Sequence, residues 1–155
     1  MEILRQMIDD QWQRISPDRM VVNLTQLAGE VDRDTELQQW LLVHLHLARA
    51  HTMQLDFDVA EKILLEVVSH LTAPMVLLRS LYNVEKGRIL MATGEIEQGL
   101  RRWDVAEKVA LQHGLADVAD DAARLKQLYR ELLMDTEKFT YKEMMAYVQQ
   151  SLAIL

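Results

Sequence analysis

The chain has 155 residues, enough for one domain that buries about two thirds of the surface its unfolded form exposes. Hydrophobic residues make up 50%, with 5 glycines, 2 prolines and no cysteine, so the composition favours helix and excludes disulfides and thiolate metal sites. The net charge of -7 disfavours nucleic acid and anionic membranes as partners, and the early acids argue against an N-terminal signal peptide or membrane anchor. We therefore expect a single cytoplasmic domain over residues 1–155.

Apolar residues recur at intervals of three and four along most of the chain, which is typical of amphipathic helices. The predicted helices span residues 2–15, 16–31, 35–53, 57–71, 75–92, 95–113, 117–134 and 140–155. Pro17 fits the first turn of the second helix, and Asp34 or Thr35 is the expected N-cap of the third. Because the third helix is apolar nearly all round, we expect it to be central. The short connections predict an all-α fold of about eight helices in four antiparallel hairpins.

An internal repeat relates two of these hairpins at an offset of 39 residues. Small residues recur where two helices must approach closely, and large residues recur where a gap must be filled. The equivalent pairs are Ala48 and Gly87, Arg49 and Arg88, Phe57 and Ile96, Leu64 and Trp103, and Val67 and Ala106. The sequence thus predicts that both hairpins are copies of one unit.

With Gly87, the corner residue Gly94, Trp103 and Ala106, the stretch 39–111 resembles the tetratricopeptide repeat (TPR) family. The 39-residue offset is longer than the usual 34 of that family, Gly99 replaces its usual alanine, and Leu55 stands where a corner glycine is expected. The resemblance implies hairpins stacked as a right-handed superhelix whose first helices line a groove. An ordinary helical bundle is the alternative architecture.

The groove that the resemblance implies has six candidate partner-binding residues: Arg49, Asn83, Val84, Arg88, Met91 and Arg124. A row of guanidinium groups suits carboxylates because each group donates two parallel hydrogen bonds. The implied function is a non-catalytic scaffold or adaptor that binds a protein or peptide, including partners with acidic groups. An alternative is homo-oligomerisation or a regulatory role in a larger assembly, motivated by apolar ends such as Ile3-Leu4 and Ile154-Leu155.

Residue patterns for catalysis or for a cofactor do not appear in the sequence. His44 and His46 diverge on a helix, while His44 and His51 share a face but lie about 10 Å apart along it, so neither pair chelates a metal alone. The sequence has no phosphate-binding glycine loop, nucleophile elbow or dinucleotide fingerprint. We therefore expect no enzymatic activity, metal or cofactor, although a small-molecule sensor or enzyme built in a bundle core remains a third hypothesis.

Overall fold

The structure, a computed structural model, describes residues 1–133. Within this range the chain forms seven α-helices and no β-strand, which confirms the all-α prediction. The helices are α1 (Glu2–Trp12), α2 (Pro17–Glu30), α3 (Leu37–Met53), α4 (Phe57–His70), α5 (Val76–Ala92), α6 (Ile96–Gln112) and α7 (Ala116–Leu133). The helix predicted over residues 140–155 lies outside the described residues.

Two helix boundaries differ from the sequence predictions by more than one residue. The predicted first helix runs to residue 15, whereas α1 ends at Trp12. The prediction of Asp34 or Thr35 as the N-cap of α3 was wrong, because Glu36 occupies that position. The cause is local: a side-chain oxygen of Asp32 accepts hydrogen bonds from the amides of Asp34 (2.8 Å) and Thr35 (3.4 Å), so these residues form a turn before the helix begins.

The described residues fall into two compact units, of which the first is Met1–Leu71. In this unit α3 packs against α2 and α4, and α1 contacts both α2 and α3. The buried residues of α3 are Trp40, Leu41, Leu42, Val43, Leu45, His46, Leu47, Ala48, Ala50 and Thr52. Burial of so many consecutive residues confirms that α3 is a central helix, as its nearly uniform hydrophobicity predicts.

The second unit begins at Thr72 and contains α5, α6 and α7. Its centre is Trp103 of α6, which is fully buried and donates a hydrogen bond from its indole Nε1 to the carbonyl of Val84 at 3.0 Å. Tyr129 of α7 packs edge-on against Trp103 at 6.2 Å between ring centroids. A Cβ at Gly87 would overlap Nε1 and Cδ1 of Trp103, so glycine is what allows this indole to lie against α5.

The 39-residue repeat is present in the backbone as well as in the sequence. Both α3 and α5 have 17 residues, and both the first and the last residues of the two helices are 39 positions apart. The corners match too: the amide of Asp56 bonds to the carbonyl of His51 (2.9 Å), as that of Glu95 does to Leu90 (2.8 Å). The repeat therefore extends to the hydrogen bonds that end each first helix.

The corner positions confirm why glycine is expected there. Gly94 has a φ of 91°, and Leu55, at the equivalent position of the first hairpin, has a φ of 63°. The left-handed region costs a residue with a side chain about 1–2 kcal/mol. The first hairpin thus keeps the corner geometry of the second despite carrying leucine.

Replacing Leu55 by isoleucine should lower the free energy of unfolding by about 1 kcal/mol, because branching at Cβ makes the left-handed conformation still less favourable while side-chain volume is kept. Leu71→Ile is the matched control, since Leu71 is also partly buried but has an extended backbone with φ -75°. Leu71→Ile should lower the free energy of unfolding by less than about 0.5 kcal/mol. Equal losses for both variants in urea denaturation would contradict the left-handed corner.

Candidate functional site

The six predicted groove residues are distributed over three helices. Arg49 lies on α3 and Arg124 on α7, while α5 carries Asn83, Val84, Arg88 and Met91. Only the four residues of α5 therefore share an element, and their surroundings differ. The second unit supplies five of the six residues, and Arg49 belongs to the first.

Val84 and Met91 are buried, with 3% and 0% of their surfaces exposed. The carbonyl of Val84 accepts the hydrogen bond from Trp103, and the thioether of Met91 lies where a Cβ on Gly99 would be. Both residues therefore pack the interior of the second unit and do not present their side chains to solvent.

Arg88 is also buried, although the resemblance places it in a groove. Its Nε lies 3.2 Å from a carboxylate oxygen of Glu85, and the two side chains are only 5% and 7% exposed. A cation with this little exposure needs a nearby anion, because removal of a charge from water is costly. In this structure Arg88 is thus a partner of Glu85 within the chain.

Arg49 contacts an aromatic residue of the N-terminal helix. Its guanidinium carbon lies 4.4 Å from the centroid of the Trp12 ring, within the range of a cation–π interaction. The indole Nε1 of Trp12 donates a hydrogen bond to Nδ1 of His46 at 2.9 Å. Arg49 thereby helps to hold α1 on α3.

Asn83 is the one predicted residue of α5 that is partly accessible. Its Oδ1 accepts a hydrogen bond from Nη1 of Arg102 at 3.0 Å, and the same guanidinium lies 5.9 Å from the ring centroid of Tyr82. Helix spacing adds two further cations to this side of α5, since Arg79 and Lys86 lie four residues before and three residues after Asn83. We call the surface formed by Arg79, Tyr82, Asn83, Lys86 and Arg102 the basic edge.

Only Asn83 of the basic edge was predicted from the sequence; the other four residues are Arg79, Tyr82, Lys86 and Arg102. The sequence places Glu97 four residues before Arg101, and Asp104 four residues before Lys108, a spacing that predicts ion pairs within α6. That expectation is confirmed for Arg101, which lies 3.7 Å from Glu97, and for Lys108, which lies 2.9 Å from Asp104. It does not apply to Arg102, because no acid lies three or four residues away from it on α6. This difference was readable in the sequence.

Arg124, the remaining predicted residue, is on the exposed surface of α7. Its Nη2 lies 3.9 Å from Asp121, one turn earlier, and both side chains are about half exposed. Such a pair contributes little to stability because water screens it. Arg124 is therefore accessible to a partner, but it lies on a different helix from the other five candidates.

Histidines of the first unit join an aromatic cluster. The ring of His44 stacks on Trp40 at 3.8 Å between centroids, and its Nδ1 lies 2.7 Å from the Trp40 carbonyl oxygen. His70 meets the edge of Trp40 at 5.8 Å. Burial lowers the pKa of His44, an effect opposed by its hydrogen bond to Trp40 and by the charge of Glu66. Among residues 1–133, no group of three or more histidines and acids is placed to hold a metal ion.

Comparison of the chain with family models, with curated proteins and with solved structures gives no match. Among the helices of the described residues, none is both long and apolar enough to cross a membrane.

Proposed function

We propose that this chain is a non-catalytic helical-repeat module that binds a protein or peptide partner, as a scaffold or adaptor of the TPR type. The observation that supports the proposal most is the repeated hairpin, in which α3 and α5 have equal lengths and equivalent corners 39 residues apart. Proteins built from stacked helical hairpins use the surface of the stack for binding. The right-handed superhelix and the cytoplasmic location belong to the same proposal.

We assign the binding surface of this module to accessible side chains rather than to the buried residues of α5. Val84, Arg88 and Met91 stabilise the second unit, so they act on binding only through the fold. Asn83 is the candidate that combines accessibility with a polar environment, because Arg102 is bonded to it. Arg49 and Arg124 are secondary candidates.

A second function, self-association, is favoured by the apolar surface of α1. Ile3 and Met7 are 80% and 52% exposed, and they lie four residues apart on one face of the helix. Exposed apolar side chains that share one helix face form a surface that another molecule can cover. Ile154 and Leu155, which also motivated the prediction of self-association, lie outside the described residues.

A peptide panel tests the proposed function. The full chain is presented with acidic, basic and apolar peptides of equal length, and an unrelated helical protein of similar net charge is the control. We expect one class to bind with a dissociation constant of about 1–100 μM and the control to bind none of them. Failure of every class to bind above the control would contradict the proposal. Light scattering on the same samples decides on self-association, because a monomer at all practical concentrations removes it.

A further inference from the structure

The carboxylates of α5 and α6 already have cations beside them. Glu85 is paired with Arg88, and Glu97 with Arg101. The other two, Asp104 and Glu107, share Lys126 of α7 at 3.3 and 2.8 Å, and Asp104 also binds Lys108. These lysines lower the pKa of Asp104 through hydrogen bonds from Lys108 and Lys126. All four acids of the two helices are thus engaged with positive charges elsewhere.

Three cations of α5 and α6 remain without an acid within the described residues: Arg79, Lys86 and Arg102. Arg79 is exposed and makes one long hydrogen bond, 3.4 Å, to the carbonyl of Ala73. Lys86 and Arg102 are partly exposed. All three lie on the basic edge, so the unpaired positive charge of these helices is concentrated on one surface although the whole chain carries a net charge of -7.

Arg102 is held in position before any partner arrives. Its bond to Asn83 uses one N–H, and Tyr82 lies beside the guanidinium. A guanidinium has five N–H donors, so donors remain for a carboxylate. Because the side chain is already ordered by these contacts, less conformational entropy is lost on binding.

The internal repeat shows that packing does not require a basic surface here. Trp40 and His44 occupy the positions of the first hairpin that are equivalent to Arg79 and Asn83, and there they form the aromatic cluster with His70. Leu47, equivalent to Lys86, is buried. The equivalent central residues Leu64 and Trp103 are both apolar and buried. In contrast, two edge positions change from apolar to cationic: Trp40 to Arg79 and Leu47 to Lys86. Their charge in the second hairpin therefore serves a purpose other than packing.

We infer that the basic edge of α5 and α6 is a docking site for an acidic segment of a partner protein. The inference rests on the proposed function and names its site and the chemistry of its partner. Arg79 and Lys86 lie seven residues apart, about 10 Å along a helix. In a peptide with the polyproline II conformation, two acids three residues apart lie on the same face about 9 Å apart, so such a segment reaches both cations while Arg102 binds a carboxylate from the side.

An acidic protein segment fits this surface better than nucleic acid does. Duplex-binding proteins neutralise several phosphates, about 6–10 in well-characterised cases, whereas the basic edge offers three cations on a chain whose net charge is -7. A short peptide needs only a few carboxylates. Tyr82 adds an aromatic ring that packs against the aliphatic part of a peptide side chain.

The test measures fluorescence anisotropy of a labelled short peptide with glutamate at every third position, titrated with the full chain at low salt. The basic-edge variant carries Arg79→Gln, Lys86→Gln and Arg102→Gln. The control variant carries Arg33→Gln, Arg101→Gln and Lys108→Gln, which change the net charge equally but remove cations that already lie beside acids. Circular dichroism and thermal unfolding establish that both variants fold.

We expect the basic-edge variant to bind the peptide about tenfold more weakly and the control variant to stay within about twofold of the original chain. Salt should weaken binding, and a glutamine version of the peptide should bind at least about tenfold more weakly. If the two variants lose peptide affinity equally, net charge alone explains the loss and the inference is overturned. Unchanged peptide binding in the basic-edge variant would also overturn it.

Other occupants give distinct outcomes. If a single-stranded oligonucleotide binds more tightly than the acidic peptide, and the basic-edge variant loses this binding, the partner is nucleic acid and the inference is overturned. A change of oligomeric state in that variant without peptide binding would assign the surface to a second copy of the chain. Binding of basic or apolar peptides alone, equally by both variants, would overturn the inference and leave the proposed function standing. If no peptide class binds the original chain, both fail.

Discussion

Replacing Trp103 by leucine should lower the free energy of unfolding by about 3 kcal/mol, because it leaves a cavity in the second unit. The variant also removes the hydrogen bond from the indole to the carbonyl of Val84, which is 3.0 Å long and buried. Of this loss, about 1 kcal/mol or more comes from the buried carbonyl that loses its donor. Urea denaturation followed by circular dichroism measures the change.

The repeat supplies a compensating substitution. Where the second hairpin has Gly87 against Trp103, the first has Ala48 and Leu64 at equivalent positions. Gly87→Ala alone should cost about 2 kcal/mol, because the new Cβ would overlap the indole. With Trp103→Leu present the overlap disappears and the methyl group fills part of the cavity. The double variant should therefore lose no more stability than Trp103→Leu alone.

Gly29→Ala is the control for the glycine substitution. Gly29 lies within α2 and a Cβ there would meet no atom within 4 Å, so alanine should not reduce stability and its higher helix propensity should raise it slightly. Additive losses in the double variant, about 5 kcal/mol in total, would contradict the contact between Gly87 and Trp103.

Replacing Arg88 by methionine should lower the free energy of unfolding by about 3 kcal/mol. The substitution keeps much of the buried volume but removes the cation 3.2 Å from the Glu85 carboxylate, in a place where the glutamate side chain is only 7% exposed. Arg101→Met is the matched control, because its pair with Glu97 is exposed to solvent at 3.7 Å. The control should lose less than about 0.5 kcal/mol.

The double variant Glu85→Met/Arg88→Met should recover most of the stability lost in Arg88→Met, since it removes both buried charges together. Recovery of stability in the double variant distinguishes a buried ion pair from an arginine that is exposed for binding another molecule. If Arg88→Met were no more destabilising than Arg101→Met, Arg88 would be accessible, and its assignment to a binding groove would return as the preferred interpretation.

Helix positions and the repeat could be predicted from the sequence because they depend on local spacing. The periodicity of apolar residues places α3 and α5 to within about two residues, and the 39-residue offset appears again in both corners. The N-cap of α3 was missed because the side chain of Asp32, outside the helical pattern, binds the amides of Asp34 and Thr35 and holds both residues in a turn before the helix.

The surroundings of individual polar residues were harder to predict. Arg88 and Asn83 both lie on α5, and the sequence pattern treats both as outward polar positions. Only the packing of the second unit shows that Arg88 is buried beside Glu85 while Asn83 lies next to Arg102 of the neighbouring helix. The second contact joins residues 19 positions apart, which helix periodicity does not describe.

The most direct test of the central claim maps the binding of the acidic peptide on the isotopically labelled full chain by nuclear magnetic resonance. We expect the largest amide shift changes on the basic edge, at Tyr82, Asn83 and Lys86 of α5 and around Arg102 of α6, with α1 and α3 nearly unchanged. Changes centred on Trp12 and Arg49, or no changes at all at peptide saturation, would contradict the claim that α5 and α6 carry the partner-binding surface of this module.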